Sequence, residues 1–323
     1  MTLGSARRVA LVRVAGLGLL LIGGCTKAPE AASPRHVVVS IPFAGGAWES
    51  IGRSLATEYA RVIPNLSTDV VRASSLASQV DAVQAGTVDV ALEDAETAYL
   101  AFSRGTDTET TPHTRLRAIA VMFSIAVQVA VPADSGIVRI DDLRGRRVDV
   151  GAPGSAVDRA ARIILESYGF GYDAITPSYG ASDTLERFQS GQLDARFFYS
   201  AFKHPVIDAI SHQLDVRVLP IDRQRLGAIQ ERHHFLKLTT IPAGTYQHQS
   251  TNVSTVGMDV LLLCRQDLPD ALVYELTRTL FDAVPTLEHA HEAAGAIDPE
   301  RGPTASIPLH PGAARYYRAR EIL

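Results

Sequence analysis

Short apolar runs alternate along the chain with stretches in which apolar positions recur every third or fourth residue. Val37–Ile41 reads as a buried strand. Beyond Ala44-Gly45-Gly46, the positions Ile51, Leu55, Tyr59 and Val62–Ile63 fall on one face of a helix predicted over 50–63. The same reading predicts strands over 67–72 and 88–92 and helices over 75–85 and 94–103, the latter turning Ala95, Ala98, Tyr99 and Phe102 inward. A polar Thr/Asp/Glu loop covers 105–114. Leu116–Val131 is the longest apolar stretch after residue 25; its β-branched content, Gln128 and the following Pro132 predict two consecutive buried strands. A turn unit at 141–145, a strand at 148–150 and Pro153-Gly154-Ser155 then lead into a helix over 156–168, with Ser155 as cap and Asp158 in the first turn. A helix carrying Gln189, strands over 195–199 and 216–220 and a helix over 205–214 follow. Thr255–Leu263 is a further continuous apolar strand, and one long helix is predicted from Pro269 to about Ala294.

This alternation calls for an α/β fold with a mixed, mostly parallel sheet and helices on both faces. An internal repeat divides it. Gln84, Gly86 and Asp89 recur as Gln189, Gly191 and Asp194, each at an offset of 105, and each set is preceded by a strand, a Gly loop and a helix. Two copies are too few for a solenoid and fit two similar lobes whose Gly loops face a shared cleft. The expected organisation is a leader over 1–24, a tether over 25–35, a discontinuous lobe I over 36–127 and 253–323, and lobe II over 128–252. Crossing strands near Phe123–Val129 and Val253–Val256 form the hinge.

The leader changes the picture most. Arg7, Arg8 and Arg13 precede the apolar run Val14–Ile22, which is too short to span a bilayer and ends in Leu21-Ile-Gly-Gly-Cys25. Small residues directly before a cysteine predict cleavage there, lipidation of Cys25 and a product held outside the cytoplasmic membrane. Removing the leader takes the net charge from −4 to −7 (28 basic against 35 acidic residues), which with 7% aromatic residues argues against a nucleic-acid partner. Cys264, after Val260-Leu-Leu-Leu263, reads as a buried, inert thiol.

Enzyme and cofactor chemistry is missing from the pattern. Five residues separate Gly46 from Gly52 and no Lys follows, so there is no P-loop, and no G-x-G-x-x-G opens a helix. His289 and His291 lie i, i+2 on a predicted helix, where their rings diverge; His233-His234 reads as solvated. Ser155 lacks a nucleophile elbow and reads as a cap. No metal, cofactor or catalytic residue is expected.

The chain resembles the TAXI-type solute receptors of tripartite TRAP transporters, a branch of periplasmic binding proteins. The likeness rests on Ala44-Gly-Gly46 with Ile51-Gly52, Gln84-x-Gly86-x-x-Asp89, and Asp142-Leu-Arg-Gly-Arg-Arg-Val-x-Val-Gly151 leading to Gly154-Ser155. It continues through Leu219-Pro-Ile-Asp222, Ile241-Pro-Ala-Gly-Thr-Tyr246, Leu268-Pro-Asp-x-Leu-Val-Tyr274 and Pro308-Leu-His-Pro-Gly-Ala313. The resemblance implies a two-lobed, type II-like binding protein that closes on a small organic solute, such as glutamate, glutamine or a dicarboxylate, and hands it to a TRAP membrane permease. A sensor module of the same fold is the competing reading.

The lining expected from lobe I is Gly45, Gly46, Trp48, Ser50, Ser74, Ser75, Asp94 and Glu96; from lobe II it is Gly154, Ser155, Ala156, Val157, Tyr199, Ala201 and Phe202. Backbone N–H groups at the Gly46 and Gly154 loops are expected to hold one carboxylate. Asp94 and Glu96 either face water as helix N-terminal residues or face the cleft and favour a cationic or neutral donor on the solute. Arg72 and Lys203 are the candidate counter-charges. The sequence departs from the family pattern at these loops, in Ala47-Trp48-Glu49-Ser50, Ser75–Gln79, Asp94-Ala95-Glu96 and Ala156-Val157-Asp158.

Overall fold

In the computed structural model, β1 (Arg35–Ile41) buries Val37, Val39 and Ile41 completely, and α1 (Gly46–Val62) covers it with Ile51, Leu55 and Tyr59. The model describes Met1 and residues 35–323 apart from Phe43, Ala181 and His234; the leader, Cys25 and the tether before Arg35 lie outside the described residues. Residues 34–323 make one compact unit.

The chain continues through β2 (Leu66–Arg72), α2 (Leu76–Ala85), β3 (Val90–Asp94) and α3 (Ala95–Arg104) into β4 (Leu116–Pro132). Next come β5 (Arg147–Asp149), α4 (Ala156–Ser167), β6 (Thr176–Ser178), α5 (Thr184–Gln189), β7 (Ala195–Ser200), α6 (Pro205–Ser211), β8 (Val216–Val218), α7 (Arg223–Arg232) and β9 (Lys237–Ile241). The chain returns through β10 (Val253–Arg265) and ends with α8 (Asp270–Asp282), α9 (Val284–Ala290) and α10 (Pro311–Ala319).

All ten strands join one sheet in the order β2-β1-β3-β10-β4-β7-β5-β6, with β8 on β4 and β9 on β10. Pairing is parallel on the flanks (β1 with β2 and β3, β5 with β6 and β7), while β4 and β10 run antiparallel to their neighbours. Those two long strands carry the chain from one end of the sheet to the other. β4 pairs with β10 over Leu116–Ala126 and changes partner at Ala126, pairing with β7 over Ala126–Ala130. At the crossing Gly257 lies opposite Ala126. The end of the sheet holding β7, β8 and β9 has its own apolar cluster, including Phe198, Ile207, Val216, Ile241 and Tyr246.

Three expectations are corrected. Leu116–Val131 is one unbroken strand, because an apolar run buried on both faces carries no period-2 signal to mark a break. The helix expected from Pro269 to Ala294 breaks at Ala283, because Pro285, in the first turn of α9, has no N–H to continue the bonding of α8, and α9 ends before His291. Helix α1 begins at Gly46 rather than 50, so Trp48 and Ser50 are helical.

The repeat has a structural explanation. In each copy a glycine with positive φ (Gly86, 83°; Gly191, 65°) turns the chain after its helix, where an L side chain would be strained. The aspartate then clamps the first strand of its half. Asp89 accepts the Val38 N–H at 2.8 Å and donates its own N–H to Val38 O; Asp194 does the same with Arg147, at 2.8 Å.

Candidate functional site

The carboxyl ends of β1, β3, β5 and β7 open on one cleft of about 1210 Å³. From the first half of the sheet it is lined by Gly45, Gly46, Trp48, Ser74, Ser75, Asp94 and Glu96; from the second by Gly154, Ser155, Ala156, Val157, Tyr199 and Ala201. Ser50 and Phe202 are not on the lining. Ser50 lies two residues, about 200°, around α1 from Trp48. Phe202 packs into the apolar cluster that contains Tyr246. Trp48 is held edge-on against Phe123 of β4, with ring centroids 6.0 Å apart.

In each Gly loop one N–H, that of Gly45 or Gly154, is not the free donor expected of it. Glu49, in the first turn of α1, accepts the Gly45 N–H at 2.6 Å, and its carboxylate also receives Arg53 and Arg72, each at 2.9 Å. The Gly45 N–H, then Arg53 and Arg72, hold its pKa down at about 2. In the other half Asp158 of α4 accepts the Gly154 N–H at 2.9 Å and the Tyr172 hydroxyl at 2.6 Å. Burial pushes the Asp158 carboxyl up, but the bonds from Tyr172 and Gly154 and the charge of Arg162 outweigh it and hold it below the usual range. Each half therefore caps its own Gly loop with an acid four residues on.

The cleft acids are not solvated helix ends. Asp94 does cap α3, accepting the Thr97 N–H at 2.7 Å, but it is only 5% exposed, and both it and Glu96 line the cleft. Burial raises both carboxyl pKa values, and the charge of Asp94 raises that of Glu96 further. One cation opposes both: Arg159 of α4, whose charge lowers the two acids. Arg159 is exposed on the cleft lining and donates to Gly154 O at 3.0 Å. The counter-charges expected from sequence are engaged elsewhere, Arg72 with Glu49 and Lys203 with Asp208 at 2.8 Å. Among the described residues the buried Tyr199 hydroxyl has no hydrogen-bond partner. Burial, then Asp94 and Glu96, push its pKa well up, so it remains a neutral donor in the cleft.

Sequence reasoning missed Arg159, Arg104, His204, His233, Phe235 and Met258, all on the lining. Arg159 had a local signal: Ser155, Arg159 and Ile163 are spaced by four on one face of α4, and all three reach the cleft. Two histidines of the sequence reading have ordinary partners, His289 Nδ1 paired to Pro285 O at 2.6 Å and His291 Nδ1 accepting the Ala293 N–H at 3.1 Å, while His234 lies outside the described residues. Cys264 is fully buried and its thiol pKa is pushed up by burial.

Beneath the cleft, Glu93 is completely buried, accepting the Asp94 N–H at 2.9 Å and Gln79 Nε2 at 3.3 Å; Gln79 in turn accepts Ser40 Oγ at 2.7 Å. Burial, then the charge of Asp94, push the Glu93 carboxyl well above its ordinary 4.5. The folded state thus keeps a proton that the unfolded chain loses, so this group's contribution to stability falls as pH rises from about 4.5. Glu93→Gln should be more stable than wild type at pH 8, by on the order of 1–3 kcal/mol, and the gain should shrink toward pH 4. Urea unfolding at the two pH values measures this; an equal difference at both would refute a protonated Glu93.

The fold is similar to that of solved solute-binding proteins. A TctC solute binding protein from Polaromonas shares 17% identity over 90% of this chain and 99% of its own, with a TM-score of 0.57. The periplasmic aliphatic sulphonate binding protein SsuA from Escherichia coli shares 18% identity over 88% and 83%, with a TM-score of 0.47. The chain itself belongs to the NMT1-like family, whose model matches residues 42–320.

Proposed function

We propose that this chain is an extracytoplasmic receptor that captures a small carboxylate-bearing solute between two lobes and delivers it to a TRAP-type membrane permease. Lobe I comprises 36–127 and 253–323, lobe II comprises 128–252, and β4 and β10 form the hinge between them. Cys25 tethers the receptor to the membrane as a lipoprotein.

The observation that carries the reading is the charge arrangement of the cleft: Arg159 on one wall with the Tyr199 donor, Asp94 and Glu96 on the other. A carboxylate pairs with the guanidinium, while an ammonium or amide donor pairs with the acids. A solute with carboxylates alone presents its second one to Asp94 and Glu96 and is repelled, whereas an amino acid presents its ammonium there. Amino acids such as glutamate and glutamine therefore fit better than plain dicarboxylates.

Isothermal titration of the purified protein with glutamate, glutamine, succinate and 2-oxoglutarate tests this. Saturable binding of an amino acid at least about tenfold tighter than succinate is the expected result. Tight succinate binding with no response to either amino acid would overturn it.

A further inference from the structure

The two Gly loops facing the cleft carry the same construction at matching places. Gly45 precedes α1 and Gly154 precedes α4, both with positive φ (72° and 75°), and each gives its N–H to an acid four residues on in its own helix. Each acid is then fixed by groups remote in sequence: Glu49 by Arg72 from the end of β2, and Asp158 by Tyr172 beyond the end of α4. Such a helix start, with unpaired N–H groups and the positive end of the dipole, attracts anions. Here a carboxylate of the chain itself already sits there.

We propose that Glu49 and Asp158 are specificity determinants: each carboxylate occupies the glycine N–H just before its own helix and repels solute anions from that loop, leaving Arg159 to read the solute's negative group. The consequence for the receptor reading above is a cleft that rejects small inorganic and dianionic solutes.

Removal of the Glu49 carboxylate should open a latent site, because the Gly45 N–H, Arg53 and Arg72 all converge on it. Glu49 is partly exposed on the first turn of α1, so Glu49→Ala should fold. The experiment uses inorganic sulfate against chloride at constant ionic strength, read by calorimetry and thermal shift on wild type, Glu49→Ala and Glu49→Gln. Glu49→Ala should bind sulfate at least about tenfold more tightly than wild type. Glu49→Gln, whose amide oxygen can still accept the Gly45 N–H, should gain less. Asp158→Ala, checked for folding by circular dichroism, should show the same gain in the other half. Sulfate binding by wild type as tight as by Glu49→Ala, or no gain in Glu49→Ala, overturns the proposal. No organic solute enters this test, so a failure of amino-acid binding leaves its outcome unaffected.

Discussion

Arg159→Met is expected to abolish high-affinity solute binding while leaving the melting temperature within about a degree of wild type. The guanidinium is exposed, and among the described residues its hydrogen bond goes to the Gly154 carbonyl, so the fold depends little on it. The solute depends on it heavily. With Glu49 and Asp158 on the Gly-loop donors, Arg159 is the cation closest in influence to the acids of the opposite wall. Arg104, the other guanidinium on the lining, lies at the far end of α3 beside the 105–114 loop. The solute buries this guanidinium when it binds, and removing one partner of an ion pair so desolvated costs about 2–5 kcal/mol, so a loss of roughly a hundredfold in affinity should be read by titration calorimetry. Arg159→Lys keeps the charge and loses the fork that grips a carboxylate with two parallel bonds, so it should fall between the two. Unchanged affinity in the Met variant would place the anion site elsewhere in the cleft.

The Gly loops were legible because glycine at positive φ is a local demand that the sequence must meet. The aspartates of the repeat were legible only because they recur at one offset, since what each clamps is a backbone N–H on a strand far away in the sequence. Glu49 and Asp158 were not, because their direction is set by Arg72 and Tyr172, which the fold brings in from other elements. A first-turn acid otherwise reads only as dipole compensation. The segment carrying α7 and β9 yielded no elements for a different reason: α7 buries only Leu226 and Ile229, and β9 only Ile241, too few positions to display a period. The competition between Arg72, Lys203 and Arg159 for the role of counter-charge was a question of distance, and distance is tertiary.

The proposed hinge carries the second large effect. Gly257 sits where β10 passes β4, opposite Ala126, and the next strand over places Lys237 beside it. A Cβ on Gly257 would lie 2.5 Å from the Ile125 carbonyl oxygen and 2.9 Å from Thr239 Cγ2. The first of these is backbone and cannot swing aside, so relief requires β4 and β10 to separate at the point where β4 changes partner. Gly257→Ala should therefore lose about 2–3 kcal/mol of stability, as overpacking of a tight contact does. Gly227 provides the internal comparison: it lies inside α7 with no atom within 4 Å of its would-be Cβ. Gly227→Ala should be neutral or gain up to about 1 kcal/mol, because alanine loses less backbone entropy in a helix. Urea unfolding of both variants separates the effects. Stability of Gly257→Ala equal to that of Gly227→Ala would show that the crossing strands yield freely at this point, and that the close approach of β10 to Ile125 is not what holds them together.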